Sequence, residues 1–462
     1  MEGGEMKKKI LSAFVMAFCV GTSYAKSELS NDTFTHAESI PVSTVVEHQT
    51  DLDIASVATV LPEAHSLKAL SDDEMSQVEG QALLSLTNKA DSGQGLNFYK
   101  LGMEATVDIN ANIRKLQLGC GGVNSGISGK GGMCDIDIDN LSLSGLGNTR
   151  EERASSSAKL TNPFLEFAIK NPDSASTREV MGFRVSAEKV AGLLTLGEEN
   201  SGNPNGINSL SGYLKINDAT GVAKTAARTM TYNDTNKELE GRIYTTFLAL
   251  TSIPFTSNNY TFNLKEADAN LKIKGQVISG TRMSTVKLSG SADIAPLGFE
   301  GPLVARVVGI PLTVNATGTI EGLKADITVD ENLGFIHKLK LNNPASLSLQ
   351  KTSIKWPNAT EAANAGWWLA IEDSIDIGSV SPSDKVNITS DVLKQVVDPI
   401  SNYLIGHPLR CPGLTALGCV ITGEAPVGPV NLSGTSVNFP LSNLKLSEQT
   451  FAPNCYGSLK FC

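Results

Sequence analysis

From Met103 to Ile113 the odd positions are apolar (Met103, Ala105, Val107, Ile109, Ala111, Ile113), and the even positions between them are polar. A period of two puts every second side chain on one face, so this stretch predicts a strand with one buried side. The apolar phase then moves to even positions at Leu116, Leu118 and Cys120. Past a glycine-rich loop it resumes at Cys134, Ile136 and Ile138, and it returns to odd positions at Leu141 and Leu143. Setting Cys120 opposite Cys134 in an antiparallel hairpin matches Leu118 with Ile136, Leu116 with Ile138, Ile113 with Leu141 and Ala111 with Leu143. The two phase breaks then meet, Arg114 and Lys115 against Asn140 and Asp139, as matched bulges require.

The same arithmetic predicts two more hairpins. Leu312, Val314, Ala316 and Ile320 lead into Glu321-Gly322, and Leu323, Ala325, Ile327 and Val329 follow, so a tight turn would set Val314 against Val329 and Ala316 against Ile327. Leu339 and Leu341 would turn at Asn342-Asn343-Pro344 and return through Leu347 and Leu349. Further strands are expected at 165–169, 181–185, 260–264, 271–277 and 437–441. One long helix is expected over 390–404, where Val392, Leu393, Val396, Val397, Ile400, Tyr403 and Leu404 form an apolar stripe that Pro399 would kink or interrupt. The fold class that follows is all-β: an antiparallel, hairpin-rich large sheet or β-sandwich with one amphipathic helix lying across it.

The amino terminus reads as an export signal over residues 1–25. Lys7, Lys8 and Lys9 precede an apolar run from Ile10 to Val20, and Ser23-Tyr24-Ala25 places small residues at the cleavage positions. Cys19 follows the bulky Phe18 where a lipoprotein signal wants a small residue. Residues 26–66 lack periodicity and read as a leader. Over 67–80, Ser71 and Glu74 make a capping box and Gly80 supplies a C-terminal stop, predicting a short helix near 72–79. The β-rich region is then 81–462, with a subdomain boundary most natural near 200–235. The segment Leu-Ser-Asp-Asp-Glu-Met-Ser-Gln-Val-Glu-Gly-Gln, Leu70–Gln81, resembles the start of exported gammaproteobacterial β-rich proteins that open with a Leu-Ser-x-x-x-Met-Ser-x-Val-x-Gly-Gln signature. Ala82 stands where that pattern has a Gly-containing strand start. Some proteins of that group belong to pilus or surface-filament gene clusters, and the resemblance implies a role beside such a system.

Composition narrows the function further. A formal charge of -10, near -11 after signal removal, disfavours capture of nucleic acid or anionic lipid by the chain as a whole. Only 6% of residues are aromatic, and outward strand positions such as Glu104, Asp108 and Arg114 are charged, which disfavours an outer-membrane barrel with its aromatic girdles. Cys120, Cys134, Cys411, Cys419, Cys455 and Cys462 form three close pairs, which in an exported chain predicts three sequential disulfides. The rival for Cys411 is a zinc site with His407. Asp135, Asp137 and Asp139 alternate along one strand; they are either a calcium site or a solvated polar face, and the EF-hand pattern fails at Asn140 and Leu146. Trp356, Trp367 and Trp368 form a cluster that is either an interface or core. With no nucleophile elbow, zinc-protease, P-loop or dinucleotide motif in the sequence, no catalytic residue and no cofactor is assigned.

The function expected is an exported, non-enzymatic structural or adhesive protein of the cell envelope or surface, at the outer membrane or in the periplasm. Its partners would be envelope proteins or further copies of itself, not nucleic acid, and the mature chain has no transmembrane helix. The alternative is a carrier of lipid or another hydrophobic ligand, with curved sheets and the 390–404 helix enclosing an apolar groove.

Overall fold

The computed structural model describes residues 84–198, 205–245, 252–412 and 418–453. The export signal, the leader, the capped helix and the Cys455 to Cys462 pair fall outside these residues. Ala82–Cys462 cluster as one compact unit, whose described residues form three sheets, one with twelve strands and two with seven. The chain first leaves the large sheet after Ile207–Ile216, inside the interval suggested for a boundary. It returns at Gln276–Met283 and again at Lys338–Leu341, so the sheets are interwoven and not consecutive.

In the large sheet, Leu84–Asp91, Leu96–Met103, Ala158–Lys170, Glu179–Thr195, Ala345–Gln350, Gly366–Ile375, Ile207–Ile216, Ile136–Ser144 and Ala111–Leu118 lie side by side in that order. The sheet also meets itself: Ser142, Leu143 and Ser144 pair with Thr195, Leu194 and Leu193. Five strands therefore form a closed ring, and Ala158–Lys170, Leu96–Met103 and Leu84–Asp91 extend the sheet beyond it as a flange.

The first predicted hairpin is present in the register expected: Leu118 faces Ile136, Leu116 faces Ile138, Ile113 faces Leu141 and Ala111 faces Leu143. The irregularity falls at Arg114 and Asn140, with Asn140 left-handed at φ 50°. Cys120 and Cys134 are bonded across the loop, and Cys411 is bonded to Cys419.

The other two hairpins are corrected. Ile310–Glu321 pairs with Leu297–Val307 in one seven-stranded sheet, whereas Lys324–Asn332 pairs with Thr285–Ile294 in the other. Glu321-Gly322 is a corner between sheets. Alternation fixed which side chains point inward, and both strands do bury them in one shared core, but it carries no information on the hydrogen-bonded neighbour. Lys338–Leu341 and Ala345–Gln350 both pair antiparallel with Glu179–Thr195, one after the other. Asn342-Asn343-Pro344 is a break within one strand direction. The Asp373 carboxylate holds it open, accepting from the Asn342 and Asn343 backbone N–H groups at 2.8 and 2.9 Å and from Asn343 Nδ2 at 2.8 Å. The strand expected at 271–277 is likewise split into Asp268–Ile273 and Gln276–Met283.

The helix runs Ser390–Gly406, capped by Thr389, and continues through Pro399. Its stripe buries Val392, Leu393, Val396, Val397 and Leu404 against the seven-stranded sheets. Ser401 Oγ accepts from Glu240 N at 3.0 Å, while Gln395 donates to Asn438 O and accepts from Asn438 N, so the helix ties an edge strand of each sheet. Among the described residues no helix is long and apolar enough to cross a membrane.

Candidate binding surface

Cross-strand partners in a sheet point to the same side, so the register defines rows. One row in the large sheet is Leu86, Leu101, Leu165, Val185, Leu347 and Leu369; the next is Asn88, Tyr99, Phe167, Phe183, Leu349 and Trp367. At one end Leu347, Leu369 and Trp367 pack against the main core. Toward the flange the cover is lost: Leu165 is 7% exposed, Leu101 44% and Leu86 74%. Tyr99, Phe167, Phe183, Leu349 and Trp367 are all half-buried, and Phe183 meets Trp367 edge to face at 5.9 Å. This apolar face begins in the core and ends in solvent at the strand Leu84–Asp91. Nearly every residue of that strand is exposed, and it is an edge of the sheet.

The reverse side of the same strands is also covered. Leu96, Phe98, Ala168, Tyr213, Trp356, Trp368 and Ala370 form a second core beneath residues 351–365. Polar positions that alternate with the apolar rows are therefore buried as well and need partners. Arg184 pairs with Glu166, donates to Pro357 O at 3.0 Å, and lies between the rings of Phe164 and Trp356. Burial lowers the Arg184 pKa, with the Glu166 charge working the other way. Trp356 and Trp368 are each 2% exposed and belong to this core, so of the three tryptophans only Trp367 lies on the accessible face.

The three aspartates part company. Asp135 precedes its strand and is fully buried; its carboxylate accepts from Arg282 Nε and Asn124 Nδ2, each at 2.9 Å, and from Trp367 N at 3.0 Å. Arg282, left-handed at φ 49°, also donates to the carbonyls of Lys130, Gly119 and Gly121 and so threads the disulfide loop. Asp137 and Asp139 share the Lys115 ammonium, which already occupies the place a cation would take. Burial opposes the Asp137 charge, yet hydrogen bonds from Lys115, Gln117 and Asn208 hold its carboxyl below the ordinary value. Among the described residues no three potential metal ligands converge. The zinc alternative is also corrected: Cys411 is bonded to Cys419, and the His407 ring stacks on Tyr403 at 4.1 Å.

Sequence reasoning missed the apolar rows, because neighbours such as Val185 and Leu347 come from strands far apart in the chain that no local pattern links. Besides Arg184, it also missed three buried bases. Arg153 donates all its N–H groups to Ser144, Thr195 and the carbonyls of Ser142, Leu193 and Pro453, and burial without a carboxylate brings its pKa down to about 10. Arg282 and His337 are likewise fully buried, and no sequence pattern marks them. In comparisons with family models, with curated proteins and with solved structures, nothing matches this chain.

Proposed function

We propose that this chain is an exported, non-enzymatic protein of the bacterial cell envelope or surface that assembles with further copies of itself through strand pairing at Leu84–Asp91. The observation carrying this reading is that edge: eight residues long, free of proline, almost wholly exposed, with Leu84 and Leu86 standing 57% and 74% in solvent beside Leu101. A long edge with apolar side chains is a template for another strand, and soluble proteins usually blunt it. The signal pattern at residues 1–25 and the two disulfides support an oxidising, exported setting. The carrier alternative draws on the half-buried aromatic row. Against it, the void under the helix, lined by Met230, Phe262, Phe299 and Leu404, holds about 30 Å³, room for a water molecule and not for an acyl chain.

Sedimentation velocity tests the reading. The chain is expected to form larger species as concentration rises, and Leu84→Lys with Leu86→Lys is expected to leave it monomeric with an unchanged circular dichroism spectrum. A monomer at every concentration, or assembly untouched by the double substitution, would sink self-assembly and move the argument to the carrier, whose mark would be co-purified lipid. Protease accessibility on intact against permeabilised cells separates surface from periplasm.

A further inference from the structure

Val307-Val308-Gly309-Ile310 closes the hairpin of Leu297–Val307 and Ile310–Glu321. Val308 and Gly309 are both left-handed, at φ 51° and 81°, the geometry of a type I′ turn that favours Asn-Gly. A β-branched residue is strained there. The strain brings no intramolecular burial in return, because Val308 is 82% exposed and Ile310 63%. At the same end of the sheet, Ile421 is 81% exposed in the helix Gly418–Thr422. Leu312, Leu409 and Cys419 line one small void beneath this end, which places the start of the strand Ile310–Glu321 beside the Cys411–Cys419 disulfide.

Three arginines lie toward this end of the sheet. Arg306 is in register with Thr256 one residue from Val307; Arg242 lies in the adjoining hairpin, held by Ser252; Arg410 stacks over Tyr244 at 4.8 Å. Arg306 and Arg410 are exposed. None of the three arginines is in an ion pair among the described residues, and the one carboxylate in their rows, Glu240, lies across Thr256 from Arg306. Exposed β-branched tips with arginine and tyrosine toward the same end match a bilayer interface, where apolar groups enter the acyl boundary and guanidinium groups reach lipid phosphate.

We infer that this end of the sheet docks on an anionic lipid surface, with Val308, Ile310 and Ile421 entering it and Arg242, Arg306 and Arg410 meeting the headgroups. The acidic net charge does not prevent this, because fields are screened within about 8 Å in physiological salt and the local arginines then decide. The test places a reporter at the tip of the full chain. With vesicles of equal phosphatidylcholine and phosphatidylglycerol, Val308→Trp is expected to add a blue-shifted emission that brominated lipid quenches. Pure phosphatidylcholine should give about tenfold weaker binding, as should Arg306→Gln with Arg410→Gln on the anionic vesicles. Val308→Gly, which relieves the turn, is expected to raise the unfolding midpoint while weakening vesicle binding. A tip tryptophan that stays water-like with vesicles present, equal response to neutral and anionic lipid, or a tip buried in a protein dimer would each overturn the inference.

Discussion

The large sheet and the two seven-stranded sheets solve burial differently. In the smaller sheets the strands Asp268–Ile273 and Ser436–Leu441 alternate strictly between exposed and buried, and their charged residues stand in water. The inner strands of the large sheet are covered on both faces, and the buried charged residues Asp135, Arg153, Glu166, Arg184, Arg282, His337 and Asp373 all lie in that sheet or against it. A one-sided sheet is stabilised by area removed from water, which many sequences supply. A two-sided sheet that still alternates apolar with polar must match each buried polar group to a particular partner. Tolerance to substitution should therefore differ between the regions far more than their strand content does.

The largest expected effect is at Asp135. Asp135→Ala leaves the Arg282 guanidinium buried without its counter-charge and frees Asn124 and Trp367 N, so a loss of about 3–5 kcal/mol in urea unfolding is expected. Adding Arg282→Met should recover part of it, because the unpaired charge goes too. A loss under 1 kcal/mol, on the scale of about 0–1 kcal/mol typical of exposed pairs, would break the comparison at its strongest point.

His337 gives a smaller, pH-dependent effect. Its Nε2 accepts from Ala452 N at 2.9 Å, so the ring proton sits on Nδ1 and is donated to Leu196 O at 2.7 Å. Burial holds the imidazole pKa below its ordinary 6.5, the carbonyls of Leu196 and Ala452, which accept from the charged ring, partly offset this, and the charges of Lys338 and Arg153 lower it further. The unfolded chain thus takes up this proton at higher pH than the folded one. Stability should be complete above 6.5 and fall below it, by at most about 1.4 kcal/mol per pH unit for one proton. Urea midpoints on either side of 6.5 measure the slope. His337→Asn should flatten it, and an unchanged slope would assign the acid sensitivity elsewhere.

Legibility followed the same division. The Ala111–Leu118 and Ile136–Ser144 hairpin could be read to the residue, because a disulfide and two phase breaks tie neighbours in sequence. The strand Lys324–Asn332 was legible as an alternating segment, but its partners Thr285–Ile294 and Ser436–Leu441 were not, since any apolar face satisfies another. At the binding surface Trp367 was visible as a residue but not as the end of a six-strand row. Arg282 was invisible because nothing near it in sequence marks a base that will close over Asp135, 147 residues away.

The smallest effect should come from the solvated face of the second seven-stranded sheet. Asp293 lies 2.8 Å from Lys272 and 3.8 Å from Lys324, with its side chain 46% exposed. The hydrogen bond from Lys272, then its charge, holds the Asp293 carboxyl below the ordinary 3.8. This carboxylate therefore contributes stability above 3.8 and loses it as pH falls, but water and salt already screen the pair. Lys272→Gln should move the Asp293 titration, followed by carboxyl NMR, up toward 3.8 while leaving the urea midpoint at neutral pH where it was. A titration shift without a stability shift is what a one-sided sheet predicts. A midpoint that falls as far as in Asp135→Ala would mean that surface charge pairs carry this fold too, and that burial on both faces is not what makes the large sheet exacting.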